Sequence, residues 1–154
     1  MKNRIEILKG YINNIIQHKN NSIAHREIYA HLYGVSNFCA LIALKRNLNA
    51  ELATMAGLLH DLHTYIHLNS KGHAKKGAVL AKETLDALKI TSDEETDLIR
   101  KAISEHNDKE NKHDDFTEIL IDADVMQHYL QNISLPVMEK ENQRLQKLKE
   151  EFLF

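Results

Sequence analysis

The chain is expected to fold as an all-α bundle of about six to seven helices. Two observations predict this. Apolar residues recur at three- and four-residue spacing along most of the 154 residues, the period of a helix with one buried face. Five glycines and one proline leave such helices few interruptions. The length suits a single domain, 1–154, long enough to bury a substantial core. Apolar residues make up 43% of the chain and charged residues 27%, the balance of an ordinary globular protein.

Composition also sets bounds on function. A net charge of −2 with no basic stripe provides no electrostatic footprint for nucleic acid. No apolar run approaches the ~18 residues of a membrane span. The N-terminus carries Lys2, Arg4 and Glu6 and lacks an apolar leader. Cys39 is the single cysteine, so no internal disulfide can form, and a reducing cytoplasm is the expected compartment. Ten histidines make a metal worth asking about.

A first helix is expected over 1–18, with Ile5, Leu8, Ile12 and Ile15 in register. Asn20-Asn-Ser22 breaks it, and Ser22 is a candidate N-cap for the next helix, 23–46. The stripe Ala24, Ile28, Val35, Phe38 and Ile42 contains His31, which must therefore point inward. Asn49 caps a third expected helix, 50–66, with Glu51 suiting its positive end. Leu52, Met55, Ala56 and Leu59 face its core side. Ala53, Ala56 and Gly57 leave room before His60 for an imidazole and for a close neighbouring helix. His63 and His67 continue the His60 face, either as further polar pocket residues or as exposed residues at a fraying helix end.

The fourth helix, about 73–89, has a stripe tapering from Ala74 and Gly77 to Leu85 and Leu88, with His73 at its small end. Thr91-Ser-Asp-Glu94 has the capping-box pattern for a fifth, where Ile99, Ala102 and Ile103 lead inward to His106. Asn107 to Asp114 is a charged loop in which His113 is expected in solvent, like His18 at the first break. Asp115-Phe-Thr-Glu118 offers a cap for a sixth helix, about 116–132. There Asp124 lies among apolar neighbours, costly unless a cation or donor compensates it. His128, four residues on, is placed to orient it, and Asp122 is assigned to the more polar side. After Pro136 a last helix, 137–152, carries Leu145, Leu148 and Phe152 and covers the bundle or a partner subunit, so a homodimer is one expected assembly.

Five expected helices thus each bring a metal-capable group inward: His31, the adjacent His60 and Asp61, His73, His106 and Asp124. Imidazole with carboxylate suits iron, manganese, cobalt, nickel or zinc. The ordered text is His31-Leu-Tyr-Gly-Val35, Ala56-Gly-Leu-Leu-His-Asp61, Gly72-His-Ala-Lys-Lys-Gly-Ala78, Ala102-Ile-Ser-Glu-His106 and Asp122-Ala-Asp124. From about residue 23 to 131 it resembles the HD superfamily of metal-dependent phosphohydrolases, and most nearly the small bacterial HD hydrolases that cleave diadenosine tetraphosphate. The resemblance implies one ion held by His31, His60, Asp61 and Asp124. It implies a second held by His73 and His106, with Asp61 bridging. It also implies His60 and Asp61 at the centre of catalysis on a small phosphorylated substrate such as a nucleotide.

Two departures stand out. Many family members follow the pair with a small residue and a phosphate-binding lysine; here Leu62-His-Thr-Tyr65 follows. The dinucleotide hydrolases also tend to place an arginine just before the first histidine; here Arg26 is five residues away on a different helical face, a poor match. His63, Lys71 and Lys75 are the candidates to take over phosphate binding. Besides hydrolysis, the same ligands suit a di-iron oxygenase or a non-catalytic nucleotide-binding module. A plain helical bundle with scattered core histidines would bind no stoichiometric metal.

Overall fold

Eight helices, rather than six or seven, run through the described residues. The structure is a computed structural model that describes residues 3–18 and 22–154, without the side chains of 22–24. The helices are α1 (Arg4–Gln17), α2 (Ser22–Lys45), α3 (Ala50–Leu59), α4 (Leu62–His67), α5 (His73–Leu88), α6 (Asp93–Glu105), α7 (Asp115–Gln131) and α8 (Glu139–Phe152). No strand occurs among these residues, so the all-α expectation holds. The expected break at Asn20-Asn21 and the Ser22 cap lie outside the described residues and side chains.

The additional helix arises where the expected 50–66 helix breaks, between α3 and α4. Asp61 adopts φ −112° and ψ 8°, in the bridge region where a helix does not continue. Local chemistry accounts for the break. An unbroken helix would offer the Gly57 carbonyl to the Asp61 amide. That carbonyl instead faces His60 Nδ1 at 2.8 Å. The imidazole thus competes with the backbone at the one position where the chain must turn.

Two caps fall one residue away from the expected positions. Thr91 Oγ1 is paired with Thr96 Oγ1, so Ser92 caps α6, and Glu95 completes the box by accepting from the Ser92 amide at 3.0 Å. At α7 the cap is Asp114, which accepts from the Thr117 amide at 3.1 Å, while Glu118 turns back to the His113 amide. Asn49 caps α3 as expected, and Asn3 caps α1.

α3 and α7 form the centre. Leu52 to Leu59 on α3 are all buried, as is nearly every residue from Phe116 to Gln127 on α7. α2 packs on both, α6 bridges them, α5 lies on α6, and α8 covers α7. Each fully buried Leu or Ile, such as Leu58 or Ile103, contributes ~1.5–3 kcal/mol. Two glycines permit close approaches that a side chain would block. A Cβ on Gly57 would stand 2.7 Å from Ser36 Cα on α2, and one on Gly77 would stand 3.0 Å from the His60 carbonyl oxygen. The small residues before His60 therefore do admit a neighbouring helix. Among the described residues no helix is long and apolar enough to cross a membrane.

Burial on all sides of α7 corrects the assignment of Asp122 to a polar side. Asp122 is buried, and Arg46 and Arg144 hold its two oxygens at 2.8 and 3.1 Å. His113, expected in solvent, is instead half-buried between Glu105 and Asp108, each 3.3 Å away. His18 is exposed, as expected.

Candidate metal centre

Three candidate histidines stand at helix ends and are held there in the same way. His60, at the end of α3, directs Nδ1 at the Gly57 carbonyl. His106, closing α6, does so with Ile103 at 2.7 Å, and His73, opening α5, with Ser70 at 2.9 Å. A ring nitrogen facing a carbonyl carries the proton, which leaves the lone pair on Nε2. Each backbone anchor thus fixes both the tautomer and the aim of the ring.

The Nε2 atoms converge on two carboxylates. His31 Nε2 and His60 Nε2 lie 3.1 Å apart. They stand 3.3 and 3.5 Å from Asp61 Oδ2, and 3.7 and 3.8 Å from Asp124 Oδ1. The other Asp61 oxygen, Oδ1, faces His73 Nε2 at 3.7 Å and His106 Nε2 at 3.5 Å. Asp61 therefore stands between two donor groups with one oxygen towards each. The structure brings the donor atoms of all six residues singled out in the sequence together.

The electrostatics suit this role. Burial pulls His60 down to about 4, so its imidazole is neutral and free to donate its lone pair. Burial works against ionised Asp61, but His60, His106 and His31 outweigh it and hold the carboxyl well below its usual range. Asp124, likewise buried, is held low by Lys109 first and then by the surrounding imidazoles.

Asp61 Oδ1 and Asp124 Oδ1 are buried and accept no hydrogen bond. An unsatisfied buried charge of this kind costs ~1–3 kcal/mol or more. Nitrogen and oxygen donors around two such oxygens are the surroundings a divalent transition ion satisfies. The groups His31, His60, Asp61 and Asp61, His73, His106 each bring their donor atoms within 4.8 Å of one another and could hold a metal ion.

Sequence reasoning missed Lys109. It lies in the loop read as merely charged, yet it is only 6% exposed. Its ammonium donates to Asp124 Oδ2 at 2.7 Å and also to Glu141 of α8. A lysine among Asp, Glu and Asn carries no periodic signal; α8 folding over the loop is what buries it. Of the phosphate-binding candidates, His63 is half-buried with its ring against His67, centroids 4.4 Å apart. Lys71 and Lys75 are exposed, and neither forms an ion pair with Asp61 or Asp124.

Comparison with known proteins agrees with this geometry. Residues 28–142 match the HD domain family. No curated protein matches. The 1.45 Å crystal structure of a protein described as a predicted HD superfamily hydrolase, from an uncultured Thermotogales bacterium, is similar in fold. The TM-score is 0.62 at 20% identity, covering 94% of this chain and 86% of that one. With the family match spanning most of its length and the His-Asp pair at the focus of its donor groups, the chain belongs to the HD domain family.

Proposed function

We propose that this protein is a metal-dependent phosphohydrolase that cleaves a phosphoester or phosphoanhydride in a small substrate such as a nucleotide or dinucleotide. The observation carrying this reading is the placement of Asp61, one oxygen towards His31 and His60 and the other towards His73 and His106. An ion in either donor group would find an Asp61 oxygen beside it. His31, His60, Asp61 and Asp124 would hold one ion, and Asp61, His73 and His106 the other. Divalent ions held there would supply a water acidic enough to ionise near neutral pH and would offset charge on the phosphoryl oxygens.

The chain's own residues do the rest. Backbone-anchored imidazoles keep the donor geometry set before any ligand arrives, so little reorganisation is needed at reaction. Asp61, held ionised, would accept a hydrogen bond from the attacking water and orient it. Lys109 faces its two carboxylates and serves the pocket wall rather than the substrate. Phosphate oxygens are left to His63, Lys71 and Lys75 around α4 and the start of α5. The likeness to diadenosine tetraphosphate hydrolases makes dinucleoside polyphosphates the first substrates to try.

The test is to purify the protein with Mn²⁺, Fe²⁺ or Co²⁺, count bound metal, and assay a nucleotide and dinucleotide panel. About two ions per chain and phosphate release are expected, with both abolished in His60→Ala and Asp61→Ala. Turnover that survives these substitutions would overturn the proposal. Oxygen consumption with a mixed-valent di-iron signal would replace hydrolysis by oxygenase chemistry. Ligand-induced stabilisation with no turnover would make the domain a binding module.

A further inference from the structure

We infer that His128 is itself a metal ligand, joining His31 and Asp124 in a third donor group on the α2–α7 side of the centre, with Glu141 of α8 as the carboxylate that positions it. This goes beyond the expected ligand set and rests on the metal-centre reading above.

Four observations carry it. Donor atoms of His31, Asp124 and His128 all lie within 4.8 Å of one another. His128 stands one helical turn after Asp124 on the same face of α7, and its Nε2 lies 3.3 Å from Asp124 Oδ1. That oxygen nevertheless accepts no hydrogen bond. The two atoms thus lie close together with no hydrogen bond between them, which leaves both available to a common ion. The His128 ring also lies nearly parallel to that of His31, with centroids 5.6 Å apart and planes 19° off. Each ring can thus present its edge to the same space.

The last observation concerns the far side of the ring. His128 Nδ1 sits 2.9 Å from Glu141 Oε1. A carboxylate accepting from Nδ1–H leaves the lone pair on Nε2 and increases its basicity, the usual arrangement of a histidine bound to a metal. It corresponds to what carbonyls do for His60, His73 and His106, with a side chain from the C-terminal helix in their place. Lys109 closes the circuit. It binds Glu141 and Asp124 Oδ2 together, which leaves Asp124 Oδ1 as the oxygen facing the ion. An imidazole-containing set of this kind selects Mn²⁺, Fe²⁺, Co²⁺, Ni²⁺ or Zn²⁺ over Mg²⁺ and Ca²⁺.

Co²⁺ uptake tests this by calorimetry, elemental analysis and the visible absorption of the bound ion, on the full chain and on H128A, H128N and E141Q. The His128 side chain is 35% exposed, so its loss leaves the core intact, and circular dichroism verifies each fold. H128N, close in shape but without an imidazole nitrogen, keeps the reading independent of one variant. Both His128 variants are expected to weaken the ion on this side by at least about 100-fold and to change its spectrum; E141Q should weaken it ~10–100-fold. Affinity that stays equal or tightens, with an unchanged spectrum, would overturn the inference. It would make His128 a cationic neighbour of Asp124 and Glu141 that competes with the metal. Wild-type protein that takes up no ion would overturn the metal-centre reading as well.

Discussion

Asp122 and Asp124 stand two residues apart on α7, and both are buried, at 6% and 4% exposure. They meet opposite surroundings. Asp122 faces Arg46 and Arg144, and each of its oxygens accepts from a guanidinium. Those arginines are in turn shared with Glu151 and Glu118, so the network is closed and complete. Asp124 has one oxygen on Lys109 and the other without any hydrogen bond, beside three imidazoles. The same residue type on the same helix is thus fully paired on one face and half open on the other. A buried carboxylate with all its partners present is structural. One with an open oxygen among imidazole nitrogens is a place for a cation. The contrast teaches that burial of an acid does not mark a site; the unfilled valence does.

The sharpest way to break this comparison is to remove each acid in turn. Asp124→Ala should eliminate metal uptake on the His31 and His60 side while leaving a folded protein, as seen by elemental analysis and circular dichroism. Asp122→Ala should do the reverse. Metal uptake persists, and the loss of a buried partner costs roughly 3–5 kcal/mol, a fall in Tm of about 6–20 °C for a chain of this size. Equal metal loss in both variants would erase the distinction.

Lys109→Met comes next. It leaves Asp124 and Glu141 buried without their cation, so the metal-free protein should lose a few kcal/mol. The deficit should narrow when Mn²⁺ is added, because the ion takes over part of the neutralisation. Paired melts with and without Mn²⁺ measure this, and a deficit indifferent to metal would separate Lys109 from the centre.

The smallest effect is expected at Asp114, far from either acid in role. Asp114→Ala removes the α7 cap at ~1 kcal/mol. Burial opposes ionisation of Asp114, but Lys101 and the Thr117 amide hold its carboxyl at about 2, below the ordinary 3.8. A depressed carboxyl stabilises the fold above its unfolded value and loses that contribution as pH falls through its folded value. The gap between wild type and Asp114→Ala in denaturant melts should therefore be full at pH 6 and close between about pH 4 and 2.

Much of this was legible beforehand, and particular residues show why. His31, His106 and Asp124 announce themselves because each interrupts an apolar stripe of helical period, which forces it inward. The helix break at Asp61 was not legible, since the apolar pattern runs on through Leu62 and only the His60 ring, bonding to the Gly57 carbonyl, diverts the backbone. Asp122 was misplaced because stripe reasoning assumes one dry face, and α7 is dry on nearly all of them. Arg46 at the far end of α2 and Arg144 on α8 are 76 and 22 residues away from it. No local window contains either.

By itself the sequence determined the class of the fold and the inward turn of His31, His106 and Asp124, because a 3.6-residue period ties side-chain direction to position in the chain. The tertiary structure alone decided which inward groups meet and which oxygen is left open. It also decided that a lysine from a charged loop and a glutamate from the last helix stand beside Asp124. Those pairings join residues distant in the chain through packing, and packing leaves no period in the sequence.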